Sequence, residues 1–175
     1  LYHSVTGIVN AAVAKDLPFD YMKDLVPVAL VTRFAAVMVM NPQVPAKDLK
    51  EFIALAKKDP GKFSYGSSGA GTGIHLATEL FKKAAGVDIV HVPYRGGAPA
   101  MQAVLAGETA AMFGSYVIVG TQMKAGKFRA LGASTKQRMT QAPDVPSLSE
   151  QGYPNFDVDN WFGIVAPAGT PTAVI

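Results

Sequence analysis

Apolar and polar positions switch between two periods along most of the chain. Residues 37–40 form a short apolar run that predicts a buried strand, ended by Asn41-Pro42. Over 45–58, Leu49, Phe52, Ile53 and Ala56 fall at i, i+3, i+4 and i+7, which predicts an amphipathic helix. Lys57 and Lys58 suit the negative end of its dipole, and Asp59-Pro60-Gly61 stops it. A strand is expected over 63–66. A helix is expected over 72–85, with Ala77, Leu80, Phe81 and Ala84 on one face and Gly86 closing it. The alternation continues with a strand at 89–92, a helix at 98–106, a strand at 110–113, a helix at 116–125 and a strand at 128–134.

Strands alternating with helices of this length imply parallel β-α-β units, so an α/β fold is expected. The run 35–134 reads as one α/β domain with helices on both faces of its sheet. The ends differ. Residues 1–25 hold a weak helical segment and the turn-like Leu17-Pro18-Phe19-Asp20. Residues 138–152 show no strong period, and 157–165 predict a strand. The two ends are expected to meet in a second, partly represented unit. Residues 26–32 and 34–40 are separate strand-sized apolar runs interrupted by Arg33. Neither approaches the ~18–20 residues of a membrane span.

Composition narrows the chemistry. Hydrophobic residues make up 49% of the 175 and charged residues 17%, a balance for a folded chain. The net charge of +3 is spread without a Lys/Arg block, which argues against nucleic acid as a partner. Without cysteine there is no disulfide, thiolate metal site or thiol nucleophile. The three histidines show no metal-ligand spacing, and no cofactor is expected. The chain starts at Leu1 without Met or a signal peptide and stops soon after Thr170-Pro171, so both ends of a longer protein are expected to be missing.

Ligands of open α/β sheets bind beyond the carboxyl ends of strands. Three loops qualify. The first runs from Gly66 to His75 and carries glycines at 66, 69, 71 and 73. Its glycines allow close approach to main-chain amides, and the helix after it offers unpaired N–H groups. Ser67, Ser68 and Thr72 add hydroxyls, so the segment is an anion cradle. It lacks the lysine of a phosphate-binding P-loop, the third glycine of a dinucleotide fingerprint (Ile74) and the second glycine of a nucleophile elbow (Ala70). A carboxylate remains; a plain helix-capping turn is the alternative. The second loop, Pro93-Tyr94-Arg95-Gly96-Gly97, offers a ring, a cation and close backbone approach, although a lone loop arginine is more often a solvated charge. In the third, Ser115 is expected to cap the next helix rather than meet ligand. His91 reads as a hydrogen-bonded core histidine, and Trp161-Phe162 as core, with a pocket wall the alternative.

Several stretches resemble the TctC/Bug family of solute-binding proteins of tripartite tricarboxylate transporters. Among them are Tyr65-Gly66-Ser67-Ser68-Gly69 with Gly71-Thr72 and His75-Leu76-Ala77, Val90-His91-Val92-Pro93-Tyr94-Arg95-Gly96-Gly97, and Trp161-Phe162-Gly163 through Pro167-Ala168-Gly169-Thr170-Pro171. The resemblance implies a two-lobed periplasmic binding protein-like fold with mostly parallel sheets flanked by helices. It divides the chain into a first lobe at 1–33, a second at 34–156 and a return to the first at 157–175. It implies a monomeric periplasmic protein, not an enzyme, that takes a small carboxylate in the inter-lobe cleft and passes it to membrane transporter subunits. A ligand-sensing accessory to a membrane kinase is the alternative. The implied ligand-binding residues are Ser67, Ser68, Gly69, Gly71, Thr72, His75, Tyr94, Arg95 and Gly96. The hinge is expected near 31–35 and 156–160. Two loops depart from the family pattern: Thr109 is followed by Ala110 where an acid is common, and Gly114-Ser115 stands where Asp or Asn is common.

Overall fold

The computed structural model describes residues 1–13 and 16–175; positions 14 and 15 of the N-terminal segment lie outside the described residues. The elements run β1 (Tyr2–Ser4), α1 (Val5–Val13), α2 (Tyr21–Asp24), β2 (Leu25–Met40), α3 (Leu49–Lys58), β3 (Ser64–Ser67) and α4 (Gly73–Ala85). They continue with β4 (Val90–Pro93), α5 (Gly97–Ala106), β5 (Ala111–Ser115), α6 (Tyr116–Lys124), β6 (Arg129–Ala133) and β7 (Asp159–Pro167).

The long strand β2 organises the molecule. Over Leu25–Ala35 it pairs antiparallel with β7, which also pairs antiparallel with β1. Over Ala36–Met40 it lies antiparallel between β5 and β6, and β3 and β4 follow in parallel beyond β5. Four of the five strands of this larger sheet therefore run in one direction, and β2 alone opposes them. The smaller sheet is wholly antiparallel.

The two apolar runs expected on either side of Arg33 are thus a single 16-residue strand. Arg33 does not interrupt it, because its guanidinium stays largely exposed and pairs with Asp159 on β7 at 2.9 Å. An extended backbone leaves alternate side chains free to face water, so one charge is no barrier to a strand.

Beyond Ala35 the same strand is buried on both faces. Met38 and Met40 pack with Phe52, Phe81 and Phe113 on one side. Val37 and Val39 pack with Val104, Met112 and Val119 on the other. The period of two sends successive side chains to opposite cores, and helices cover both.

Helix starts follow from caps. Asp48 accepts from Glu51 N at 2.9 Å, so α3 begins at Leu49 rather than at Pro45. In α4 the buried stripe is Ile74, Ala77, Thr78, Phe81 and Ala85, and Leu80 is exposed. The expected face was therefore rotated, because the helix packs on β5 through Phe81 against Phe113, rings 6.3 Å apart. The aperiodic segment 138–152 is held by polar contacts: Arg138 Nε donates to Glu150 at 3.0 Å, and Ser147 N donates to the same carboxylate at 2.9 Å.

Candidate functional site

The glycine loop joins β3 to α4. Thr72 caps α4, with its Oγ1 accepting from His75 N at 3.3 Å and donating to Gly69 O at 2.8 Å. Gly71 has φ 75°, a conformation that favours glycine, and its N–H donates to His75 Nδ1 at 3.2 Å. That bond requires an unprotonated Nδ1 on His75. Ser67 is fully buried; its Oγ accepts from Gly69 N at 3.1 Å and lies 2.6 Å from His91 Nε2. The His91 ring is stacked between His75, at 4.1 Å, and Tyr65, at 4.9 Å. Burial, then the nearby His75, push the His91 pKa below the ordinary histidine value. Tyr65 donates its hydroxyl to Glu79 at 2.6 Å, and burial together with that carboxylate raises its pKa.

Ser68 differs from Ser67. Its hydroxyl donates only to Thr72 Oγ1, at 3.2 Å, and it faces a cleft of about 270 Å³. The cleft lies where α4, the β1–α1 junction and the crossing strands meet. Thr72, Gly73 and Ile74 line it, and the first amides of a helix have no intrahelical partner. Across from them stand Phe34 and, on β7, Asn160, Trp161 and Phe162. Phe34 and Asn160 are direct cross-strand partners. Asn160 is 4% exposed, and its Nδ2 is buried without a hydrogen-bond partner. None of the described residues lining the cleft carries a charged side chain.

The nine residues singled out in sequence do not share one role. Ser68 and Thr72 line the cleft. Ser67, Gly69, Gly71 and His75 hold the loop beneath it through the bonds given above. Tyr94 packs with the core on the far face of the sheet, and its ring lies 3.4 Å from where a Cβ on Gly66 would stand. Arg95 is exposed and is not among the residues lining the cleft, whereas Gly97 is. Gly96 precedes α5 with φ 120°.

One expectation is corrected, and one is decided for its alternative. Ser115 occupies the position before α6 but makes no capping hydrogen bond; it lines the cleft instead. Trp161 and Phe162 are only partly buried and form cleft wall rather than core, with Phe162 stacked on Phe34 at 5.5 Å. Asn160 and Phe34 were not singled out at all. Alternation along β7 gave the only signal, and it marks a buried polar position without saying what it faces.

Comparison with known proteins places this geometry. The family described as the tripartite tricarboxylate transporter family receptor, TctC, matches residues 2–175, and the chain belongs to that family. A protein from the tcbD-tcbE intergenic region of Pseudomonas sp. (strain P51) is 36% identical over 176 residues, covering 100% of this chain and 52% of its own length. The chain thus spans about half the length of the curated relatives it matches. A solved structure described as a periplasmic transporter superposes with a TM-score of 0.90 at 40% identity, over 99% of this chain and 58% of that one. The R. palustris protein Rpa4515, solved with adipate, superposes with a TM-score of 0.90 at 30% identity, covering 99% and 58%. The fold is that of the periplasmic binding proteins. No helix among the described residues is long and apolar enough to cross a membrane.

Proposed function

We propose that the full-length gene product is a periplasmic solute-binding protein that captures a small carboxylate between two lobes and delivers it to a tripartite tricarboxylate-type membrane transporter. One observation carries this reading. The unpaired amides at the start of α4, the Ser68 hydroxyl and the Asn160 amide line one cleft at the crossing of the two sheets, with no charged side chain among the described lining residues. Such a site can hold an anion through neutral donors and the positive helix end. The adipate complex of the R. palustris relative supports a carboxylate.

The residues take distinct parts in this mechanism. Ser68 turns its hydroxyl from Thr72 to a carboxylate oxygen, while the Gly73 and Ile74 amides meet the anion end-on. Thr72, Ser67 and His75 keep the loop in shape for it. Residues 34–156 form one lobe; 1–33 and 157–175 belong to the other. Closure bends β2 where its pairing passes from β7 to β5 and β6, between Ala35 and Ala36, and bends the return chain just before Asp159. Hinge bending of this kind is the common route to closure around a ligand.

A thermal-shift screen of the full-length gene product against mono-, di- and tricarboxylates tests the reading. A ligand at 100 times its Kd adds about 2.7 kcal/mol, which shifts the midpoint clearly. A panel that yields no shift from any acid defeats it. Co-purification with permease subunits, or instead with a kinase ectodomain, decides between delivery and sensing.

A further inference from the structure

The Asn160 side chain has no structural task that its surroundings explain. It sits on β7, 4% exposed, and its Nδ2 is buried without a hydrogen-bond partner. Buried amides in native proteins are nearly always bonded, so an unpartnered one calls for a missing acceptor. Its Oδ1 lies against α4: a Cβ on Gly73 would stand 2.0 Å from it. The amide is thus held close to the residue that opens the helix, with Phe34 opposite on β2 and Phe162 two residues along its own strand. Lysine, arginine and histidine are absent from the described lining, so the donors here are amides and hydroxyls.

We infer that Asn160 is a ligand-contacting, selectivity-determining residue whose Nδ2 donates to a carboxylate oxygen seated at the start of α4. This rests on the carboxylate reading above and adds to it a contact made from the crossing strand. The consequence is chemical. A neutral amide accepts an anion beside it, whereas an aspartate of nearly the same shape repels a carboxylate and accepts from a carboxamide. Asn160 therefore separates acids from their amide analogues. Its place on β7, two residues after the return crossing, also ties an occupied cleft to the strand that moves in closure.

The test uses the full-length gene product and three acid–amide pairs: benzoate and benzamide, succinate and succinamide, adipate and adipamide. Calorimetry gives the affinity of each. The wild-type protein is expected to favour at least one acid over its amide. In Asn160→Asp that acid should weaken about 100-fold, as when a charge is buried against its like, and the preference should turn toward the amide. A residue with a merely structural role would weaken acid and amide alike, and that result overturns the inference while leaving the carboxylate reading intact. Wild-type protein that binds none of the acids overturns both. Should Asn160→Asp fail to fold, the wild-type complex decides. A ligand oxygen within about 3.2 Å of Nδ2 supports the contact, and none within that range removes it.

Discussion

Ser67 Oγ lies 2.6 Å from His91 Nε2, under a loop in which the Gly69 N–H, two residues on, donates to the same oxygen. One fully buried hydroxyl thus ties β4 to the turn that leads into α4. Replacing it would strand both partners. Ser67→Ala is expected to destabilise the fold by about 1–3 kcal/mol, the cost of leaving buried polar groups unpaired. Urea denaturation should show a lower midpoint with an unchanged slope. A stability equal to wild type would mean that the Ser67–His91 contact does not form in solution.

The same histidine gives a pH dependence whose sign can be worked out. Burial, then His75, hold the folded-state pKa of His91 below the ordinary value; Glu79 opposes and Lys82 adds to the shift. The unfolded chain therefore binds a proton first, at about pH 6.5. Above that pH neither state is charged and stability is full. As pH falls below it, the unfolded state holds more protons and stability declines, until the folded pKa is passed. Melting temperatures from about pH 8 down to about pH 5 should fall, and fall less in His91→Gln. An identical profile in that variant would remove His91 as the cause.

Gly73 is the point where α4 meets β7 and α1. A Cβ there would stand 2.0 Å from Asn160 Oδ1 and 2.7 Å from Val5 Cγ1. Both are shorter than van der Waals contact, so Gly73→Ala must displace the amide or the helix. The expected cost is about 1–3 kcal/mol, the range for overpacking a well-fitted site. Thermal denaturation checks it, and ligand affinity should drop as well. A fully stable Gly73→Ala with normal affinity would contradict the close approach.

Ser68 and Thr72 should separate binding from folding. Ser68 donates only to Thr72 and faces the cleft, so Ser68→Ala should leave the unliganded midpoint within about 0.5 kcal/mol and weaken carboxylate binding. Thr72 caps the helix and fixes Gly69 O, so Thr72→Ala should cost about 1 kcal/mol without ligand. Midpoints measured with and without ligand give both terms. Equal losses in the two variants would show that Ser68 also belongs to the cap.

Much of the architecture was legible in local signals. Helix α4 was visible because Thr72 and Gly86 mark its two ends, and the cap bond and the left-handed φ of 64° stand at those residues. Strands β3 to β6 were visible as short apolar runs between helices. The loop after β3, proposed above to hold an anion, was visible because glycines, hydroxyls and a helix start are consecutive in the chain. Its inner division was not. Ser67 and Ser68 are neighbours of one residue type, yet one is fully buried against His91 and the other faces the cleft. Strand alternation predicts that they differ but not which faces the cleft.

Local sequence was enough for the α/β class, for the Thr72 and Gly86 ends of α4, and for the run of glycines and hydroxyls after β3, because these depend on residues within one helical turn or one strand. The sheet pairing made 25–40 one strand serving two ladders, left Arg95 exposed, and set Phe34, Asn160 and Trp161 in the same cleft as Ser68 and Thr72. Asn160 stands 87 positions beyond Gly73 in the chain, 160 against 73, and the two meet only because β7 returns beside β2. No local period records a contact of that separation; it exists only after the sheets have paired.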